Sequence, residues 1–274
     1  MNKVILVIID GLRCDVAFKE MRYMVRLTRE GLAARFTLKA EMPSLSKPLY
    51  ETLLTGIPPY LSGVTSNEFK GRSTQKSIFH LTKEKGLINA AAAYYWISEL
   101  YNCYPFDPPL HREQEKEDMP IQFGRFYFED DYPDSHLFVD GEILRRKYKP
   151  DFLLIHPMGV DYFGHLYGGS SREYAKKTSE TDGLLSKYIP LWLDNGYQVI
   201  VTADHGMDDF GNHGGESSEE RDVPLFLVGD RFTSVCYEPP SQLGIAPLIC
   251  RLLKINPSKA MNSITSPATM GGLS

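Results

Sequence analysis

Metal-binding side chains and one reactive hydroxyl recur along this chain, mostly near the ends of apolar segments. They are three carboxylates, three imidazoles and one alcohol: Asp10, Asp161, Asp204, His165, His205, His213 and Ser46. Carboxylate oxygens and imidazole nitrogens suit zinc, and carboxylates also suit manganese. Two closely spaced divalent cations can stabilise both the attacking and the leaving oxygen in phosphoryl transfer. The set therefore predicts a two-metal centre with Ser46 as the nucleophile between the cations.

Each of the three carboxylates follows a segment that is typical of a buried strand. The pairs are Val4–Ile9 with Asp10, Asp151–His156 with Asp161, and Tyr197–Thr202 with Asp204. Open α/β sheets bind their ligands at the carboxyl ends of the strands. One edge of a sheet can therefore bring these distant residues together. A single aspartate after a strand is more often a turn former or helix cap, so the joint pattern carries the prediction.

Two short glycine-containing motifs carry predicted ligands. Asp161 and His165 lie four residues apart, and Gly164 is expected to let the backbone turn tightly between them. His213 lies within Gly211–Gly215, whose glycines give the backbone freedom to fold back toward the centre. The other histidines are expected to be hydrogen-bonded surface or core residues: His80, His111, His136 and His156.

Ser46 is the predicted nucleophile. An alcohol is a weak nucleophile at neutral pH, and coordination to a metal would favour its alkoxide. Pro48 suits a first helical turn, so Ser46 is expected at a helix N-terminus, which favours developing negative charge. Ser44 is the obvious competitor, but a turn or cap role is expected for its hydroxyl. Lys47 is expected to be solvated.

Strand-like runs alternate with helical segments through most of the chain. The predicted strands are Val4–Ile9, Ala34–Ala40, Ile88–Trp96, Asp151–His156, Tyr197–Thr202 and Val223–Val228. The predicted helices are Ala17–Glu30, Leu49–Leu54, Ser77–Lys85, Leu137–Tyr148, Ser171–Leu193 and Ala246–Leu253. This alternation predicts an α/β fold with a mostly parallel sheet. With 274 residues, a single catalytic domain spanning residues 1–274 is expected.

Residues 101–136 depart from this alternation. They are rich in proline, aromatic and acidic residues and show little periodicity. We expect an irregular excursion, either a lid that faces the substrate or a surface loop packed by its own aromatic rings.

Charge, cysteine content and hydropathy limit the partners and the compartment. The net charge of -5 does not favour binding to a nucleic-acid polymer, so a small phosphate ester is the expected substrate. Four widely spaced cysteines without a CxxC pair indicate free thiols in a reducing compartment: Cys14, Cys103, Cys236 and Cys250. No apolar run approaches the ~20 residues that span a bilayer, and no signal-peptide pattern opens the chain. A cytoplasmic protein without a membrane partner is expected.

These motifs resemble the alkaline phosphatase superfamily and, within it, the type I phosphodiesterase/nucleotide pyrophosphatase family. The resemblance is carried by Ile9–Arg13, Pro43–Pro48, Leu53–Gly56, Asp161–His165, Thr202–Met207 and Gly211–Gly215. It implies a three-layer sandwich with a central, mostly parallel sheet, and two divalent metal ions, usually zinc and sometimes manganese. It further implies one metal on Asp161, His165 and His213. A second metal would lie on Asp10, Asp204 and His205, with the Ser46 oxygen bound to it.

The implied activity is phosphoric ester hydrolysis by a phosphodiesterase or nucleotide pyrophosphatase, through a phosphoseryl intermediate at Ser46. Leu49 and Tyr50 stand where the family usually has Asn-His, which argues against the usual nucleotide diester. Phosphomonoesterase, phosphotransferase and a non-catalytic metal-binding relative therefore stay open as alternatives. Tyr50, Lys47 or a residue of 101–136 are candidates to replace the missing amide.

Two related classes share parts of this pattern. Sulfatases have the same fold, but Gly11 replaces their second aspartate and Tyr50 replaces their arginine, so sulfate ester hydrolysis is not expected. Residues 211–215 also resemble a segment of the phosphoethanolamine transferases that act on lipid anchors. Those transferases are membrane proteins.

Overall fold

A single mixed sheet organises the molecule. The computed structural model describes residues 3–232 and 241–264, with side chains described up to residue 261. The strands in these ranges are β1 (Lys3–Ile8), β2 (Ala33–Lys39), β3 (Asn89–Tyr94), β4 (Glu113–Glu115), β5 (Phe123–Tyr127), β6 (Phe152–Ile155), β7 (Tyr197–Thr202) and β8 (Asp222–Val228). Their order is β2-β8-β7-β1-β6-β3-β5-β4. Strands β7, β1, β6, β3 and β5 run parallel, whereas β8 and β4 are antiparallel to their neighbours.

Helices cover both faces of the sheet. The longer ones are α1 (Cys14–Glu20), α2 (Arg22–Arg29), α3 (Ser46–Thr55), α5 (Ile78–Glu84), α8 (Asp134–Tyr148), α9 (Gly159–Tyr167), α10 (Arg172–Asp194) and α12 (Ile245–Leu253). The shorter ones are α4 (Pro59–Ser62), α6 (Trp96–Tyr101), α7 (Pro108–His111), α11 (Ser218–Arg221), α13 (Lys259–Ile264) and a 3-10 turn at Gln242–Gly244. Helices α1, α2, α8 and α10 form one layer, and α3, α5, α6 and α12 form the other. The predicted three-layer α/β sandwich is confirmed.

The central strands are apolar because helices cover them on both sides. Val4 to Ile8 of β1 are fully buried, as are the residues of β6. Such continuous aliphatic runs are typical of strands that lie inside a parallel sheet. The carboxyl ends of these strands are thereby held in fixed register beside one another.

The predicted helix Ala17–Glu30 is wrong in one respect, because it is two helices that meet at Met21. Met21 has a non-helical ψ of 70°. The carboxylate of Asp182, on α10, accepts hydrogen bonds from the backbone N–H groups of Tyr23 and Met24, at 2.7 and 3.2 Å. The side chain thus satisfies the free donors at the start of α2, which stabilises a new helix N-terminus.

The segment 101–136 is not an irregular excursion, and this prediction is corrected. It contains β4 and β5, and β5 pairs in parallel with β3 inside the sheet. Phe123, Phe126 and Tyr127 of β5 are buried, and they do not alternate with polar residues in the way that marks a half-exposed strand. The buried side chain of Asn102 holds the segment that leads to β5. Its Nδ2 donates to the Ile121 carbonyl, and its Oδ1 accepts from the Ile121 N–H. Whether the segment faces the substrate stays a prediction.

The predictions about cysteines and about membrane-spanning segments can be compared only with the described residues. Cys14, Cys103 and Cys250 are free thiols, and Cys236 lies outside the described residues. Within the described ranges, no helix combines the length and the apolar content that crossing a membrane requires.

Candidate functional site

The three aspartates converge at one edge of the sheet. Strands β7, β1 and β6 are neighbours, and all three run in the same direction. Asp10, Asp161 and Asp204 lie beyond the carboxyl ends of β1, β6 and β7, respectively. All three are buried. Parallel pairing of adjacent strands therefore brings together residues that are far apart in the sequence.

Two groups of ligand atoms are close enough to hold cations. Asp10, Asp204 and His205 form one group, and Asp161, His205 and His213 form the other, with ligand atoms within 4.8 Å of one another. His205 Nε2 is 3.3 Å from Asp204 Oδ2 and 3.4 Å from Asp10 Oδ1. His213 Nε2 is 3.9 Å from Asp161 Oδ1. His205 thus lies between the two groups.

His165 has a looser position than the other proposed ligands. Its Nε2 is 3.3 Å from Asp161 Oδ2, and 46% of its side chain is exposed. The expected tight turn between these two residues is wrong, because both lie on α9, one helical turn apart. Gly164 serves packing instead, since a Cβ there would come within 2.7 Å of the Met207 side chain.

Hydrogen bonds orient all three histidines toward the centre. The Nδ1 atoms of His165, His205 and His213 lie 2.8, 2.8 and 3.0 Å from backbone carbonyl oxygens of Gly211, Gly206 and Ser44, respectively. A carbonyl can only accept, so each Nδ1 carries the proton. The Nε2 lone pairs are then free to bind a cation, which is the usual arrangement of metal-ligating histidines.

The aspartates present oxygens that suit a cation. Asp10 Oδ1, Asp161 Oδ1 and Asp204 Oδ2 are buried and have no hydrogen-bond partner within the described part of the chain. Burial and the charges of Asp10 and Asp161 raise the pKa of Asp204 well above its usual range. Burial and the charge of Asp10 likewise raise the pKa of Asp161. Unpaired buried carboxylates are costly, and bound divalent cations would offset this repulsion, so the donor set fits two metals.

His156 is a hydrogen-bonded core residue, as expected, but the sequence did not reveal that its partner is the candidate ligand Asp10. It is fully buried, and its Nε2 lies 3.0 Å from Asp10 Oδ2. Its Nδ1 accepts a 3.4 Å hydrogen bond from the backbone N–H of Tyr94, so Nε2 carries the proton and donates to Asp10. Burial alone would raise the pKa of Asp10, but this hydrogen bond and the one from the Tyr50 hydroxyl help to lower it to about 2. The only sequence signal is its place directly after β6.

Ser46 lies at the centre, on the first residue of α3. Its hydroxyl oxygen is 3.0 Å from His205 Nε2. The helix begins after an extended Leu45, with Pro48 in the first turn, as the sequence predicts. The N-terminal end of the helix favours negative charge on the Ser46 oxygen. Its role as nucleophile stays a prediction, but its position suits that role.

The neighbours of Ser46 have structural partners. The Ser44 hydroxyl donates to the Gly215 carbonyl at 2.6 Å, in keeping with the expected turn role. The solvated position expected for Lys47 is wrong, because this residue is buried. Its Nζ donates to Glu99 Oε2 at 2.9 Å and to the Phe69 carbonyl at 3.0 Å. Lys47 is therefore committed to an ion pair and does not replace the missing amide.

Gly11 is required by a close approach to the centre. Its φ is +67°, and a Cβ would lie 2.6 Å from Asp161 Oδ1. Its N–H also donates to Asp204 Oδ1 at 3.2 Å. A second aspartate at this position, as in sulfatases, would clash with Asp161 and strain the backbone.

Glu51, in the middle of α3, is fully buried and hydrogen-bonded to two side-chain hydroxyls. Its carboxylate accepts hydrogen bonds from the hydroxyls of Ser73 and Tyr101, at 2.5 and 2.6 Å. Burial raises the pKa of Glu51 from 4.5 to about 7, although these two hydrogen bonds oppose the shift. Between pH 4.5 and about pH 7, Glu51 therefore keeps a proton in the folded protein that it has lost in the unfolded chain.

We expect replacement of Glu51 by glutamine to change the pH dependence of stability. For wild type, the Glu51 contribution becomes less favourable as pH rises from 4.5 to 7, because the folded state keeps a proton that unfolding releases, and a higher pH favours that release. Urea unfolding should show the stability of Glu51→Gln relative to wild type rising by roughly 2 kcal/mol between pH 5 and pH 8. Glu84→Gln, which changes an exposed carboxylate, should show no such rise. Parallel pH profiles for wild type and Glu51→Gln would contradict the prediction.

Comparison with known proteins connects this geometry to a family. Residues 4–217 match the family model of the type I phosphodiesterase / nucleotide pyrophosphatase group. The catalytic subunit of GPI ethanolamine phosphate transferase 2 from Homo sapiens is 27% identical in an alignment of 248 positions, which covers 84% of this chain and 24% of that protein. The Schizosaccharomyces pombe GPI ethanolamine phosphate transferase 2 is 27% identical in an alignment of 310 positions, gaps included, which covers 98% of this chain and 38% of that protein. The chain thus spans about a quarter to two fifths of the length of these relatives.

Solved structures share the fold at low sequence identity. Murine ectonucleotide pyrophosphatase / phosphodiesterase 5, an inactive variant in complex with AMP, matches with a TM-score of 0.75 and 13% identity over 94% of this chain and 96% of that chain. Phosphonoacetate hydrolase from Sinorhizobium meliloti matches with a TM-score of 0.53 and 19% identity over 75% of this chain and 57% of that chain. At these identities the likeness concerns the fold alone.

Proposed function

Because this chain belongs to the type I phosphodiesterase / nucleotide pyrophosphatase family and has the alkaline phosphatase fold, we propose that it is a metal-dependent phosphotransferase. The proposed reaction moves an ethanolamine phosphate group from a phosphodiester donor to an alcohol. The curated relatives are named GPI ethanolamine phosphate transferases, and these names support the choice of ethanolamine phosphate as the transferred group. The observation that carries the proposal is the 3.0 Å separation between Ser46 Oγ and His205 Nε2, at the edge where the carboxylates meet.

The chemistry would proceed through two displacements at phosphorus. Ser46 Oγ loses its proton and forms a bond to phosphorus while the bond to the leaving oxygen breaks, and the leaving oxygen takes up a proton. The hydroxyl of the acceptor, losing its proton, then bonds to the same phosphorus while the Ser46 oxygen departs. Covalent catalysis of this kind divides one difficult transfer into two easier ones. Ser46 returns to its starting state after each cycle.

Two divalent cations would supply charge stabilisation for the attacking and leaving oxygens. Asp10, Asp204 and His205 would hold one of them. Asp161 and His213 would hold the other, with His165 beside Asp161 as a further ligand. Zinc is the cation that we propose first, and manganese second, because the ligands combine imidazole with carboxylate.

Hydrolysis is the second candidate, with water in place of the acceptor alcohol. The family description supports it, since it names a phosphodiesterase and nucleotide pyrophosphatase.

The cytoplasmic location and the absence of a membrane partner, both expected from composition, stay predictions.

A partition experiment separates these two functions. The p-nitrophenyl ester of ethanolamine phosphate is supplied with zinc or manganese and increasing glycerol as a simple acceptor alcohol. We expect a glycerol–ethanolamine phosphate product, measured by mass spectrometry, that increases with glycerol at the expense of free ethanolamine phosphate. Free ethanolamine phosphate as the sole product at every glycerol concentration would favour hydrolysis. A kcat/KM at least tenfold higher for the p-nitrophenyl ester of AMP would favour a nucleotide substrate.

A further inference from the structure

The two oxygens of Asp10 have opposite environments. Oδ2 accepts hydrogen bonds from two side chains, the Tyr50 hydroxyl and His156 Nε2. Oδ1 is buried without a hydrogen-bond partner in the described ranges and faces His205 Nε2 at 3.4 Å. Asp10, Tyr50 and His156 are all fully buried, so water does not compete for these contacts. One oxygen is therefore fixed while the other is left available to a cation.

Packing leaves Tyr50 and His156 little freedom to move away from Asp10. The Tyr50 ring contacts His156 edge-on, with ring centroids 4.5 Å apart. It also lies 6.3 Å from the ring of Trp96. A carboxylate oxygen can only accept, so the Tyr50 hydroxyl donates its proton to the hydrogen bond with Asp10 Oδ2.

Tyr50 also connects the proposed ligand to the helix of the nucleophile. Ser46 and Tyr50 are four residues apart on α3, so their side chains lie on the same helix face. The hydrogen bond from Tyr50 therefore fixes α3, and with it Ser46, relative to Asp10 on the strand side. The family's usual Asn-His pair is replaced here by Leu49 and this tyrosine.

We propose that Tyr50 is a positioning residue that, together with His156, holds Asp10 Oδ2 so that Oδ1 is presented to a metal ion. The same contact sets the position of Ser46 at that metal. Outer hydrogen-bond partners of metal ligands commonly contribute 10- to 100-fold to metal affinity. This inference rests on the proposed function for the identity of the site, but its main test is metal binding and does not require a known substrate.

Tyr50→Phe is compared with Tyr101→Phe. Tyr101 is a matched control, because its buried hydroxyl also donates to a carboxylate, that of Glu51 on the same helix α3. Zinc and manganese affinities are measured by competition with a chromophoric chelator. We expect Tyr50→Phe to bind metal about 10-fold more weakly than wild type, and Tyr101→Phe to stay within about twofold.

A second readout concerns Ser46. At saturating metal, Tyr50→Phe should lower kcat on the p-nitrophenyl ester of ethanolamine phosphate about 10-fold or more, with a smaller change in KM, because α3 loses its connection to Asp10. Tyr101→Phe should retain kcat within about threefold. If Tyr50→Phe binds metal more weakly as expected but the wild-type chain turns over no phosphoester, the inference is supported and the proposed function is not.

Three results would overturn the proposal. They are unchanged metal affinity in Tyr50→Phe, an equal loss in Tyr101→Phe, and a wild-type chain that binds neither metal. If Tyr50→Phe does not fold, His156→Ala takes its place, since it removes the other donor to the same oxygen. Unchanged metal affinity in His156→Ala would equally count against the proposal that Tyr50 and His156 position Asp10.

Discussion

Replacing Ser46 with alanine should abolish phosphoryl transfer while leaving the fold intact. The loss of a covalent nucleophile typically lowers kcat by several orders of magnitude, and we expect a fall of at least about 10³-fold. The Ser46 hydroxyl contacts His205 Nε2, which belongs to both ligand groups, so the variant removes an alcohol from the point where the two groups meet. Turnover of bis-p-nitrophenyl phosphate with added zinc or manganese is the measurement.

Ser44→Ala is the matched control for that experiment. The Ser44 hydroxyl donates to the Gly215 carbonyl and accepts from the Gly214 N–H at 3.2 Å, so its loss should cost stability of about 1 kcal/mol. Its effect on kcat should stay within about 10-fold. Mass spectrometry of acid-quenched wild-type enzyme should find the phosphoryl adduct on the peptide that contains Ser46. Turnover retained by Ser46→Ala and abolished by Ser44→Ala would exchange the roles of the two serines.

Replacing Asp204 with asparagine should have opposite effects on the metal-free and the metal-loaded protein. Asparagine can keep the oxygen that accepts from the Gly11 N–H, but it removes an acidic group whose ionisation is disfavoured by burial and by the nearby charges of Asp10 and Asp161. The metal-free variant should therefore unfold at a higher temperature than metal-free wild type. It should also lose the stabilisation by added metal, which for wild type is about 4 kcal/mol when metal exceeds its Kd 1,000-fold.

Thermal unfolding with chelator and with added zinc or manganese tests both parts. Asp182→Asn is the control, because Asp182 is also a buried aspartate but caps α2 instead of facing the centre. It should lower stability under both conditions and keep the full metal-induced shift. A metal-induced shift of wild-type size in Asp204→Asn would remove Asp204 from the metal centre.

Helix α3 shows why local patterns did not reveal all of the site. The Ser46–Pro48 pattern predicted the helix start, because proline and a following apolar run act locally. Lys47 appeared solvated because lysine usually is, and only the structure places Glu99 and Trp96 around it. Tyr50 and His156 likewise acquire their roles from each other, through a contact between residues 106 positions apart.

The sequence by itself determined the α/β alternation and the residue types at the strand ends. Continuous apolar runs such as Val4–Ile8 specify buried strands, and the aspartates beyond them can only lie at the rim of the sheet. Strand order was decided by the tertiary structure, because placing β1 between β6 and β7 depends on contacts that no local pattern encodes. That same order made Asp10 the shared neighbour of His156, Tyr50 and His205, and pairing with β3 drew β5 into the sheet. The residue types therefore indicated metal-dependent chemistry, whereas the geometry of the candidate site depends on long-range packing.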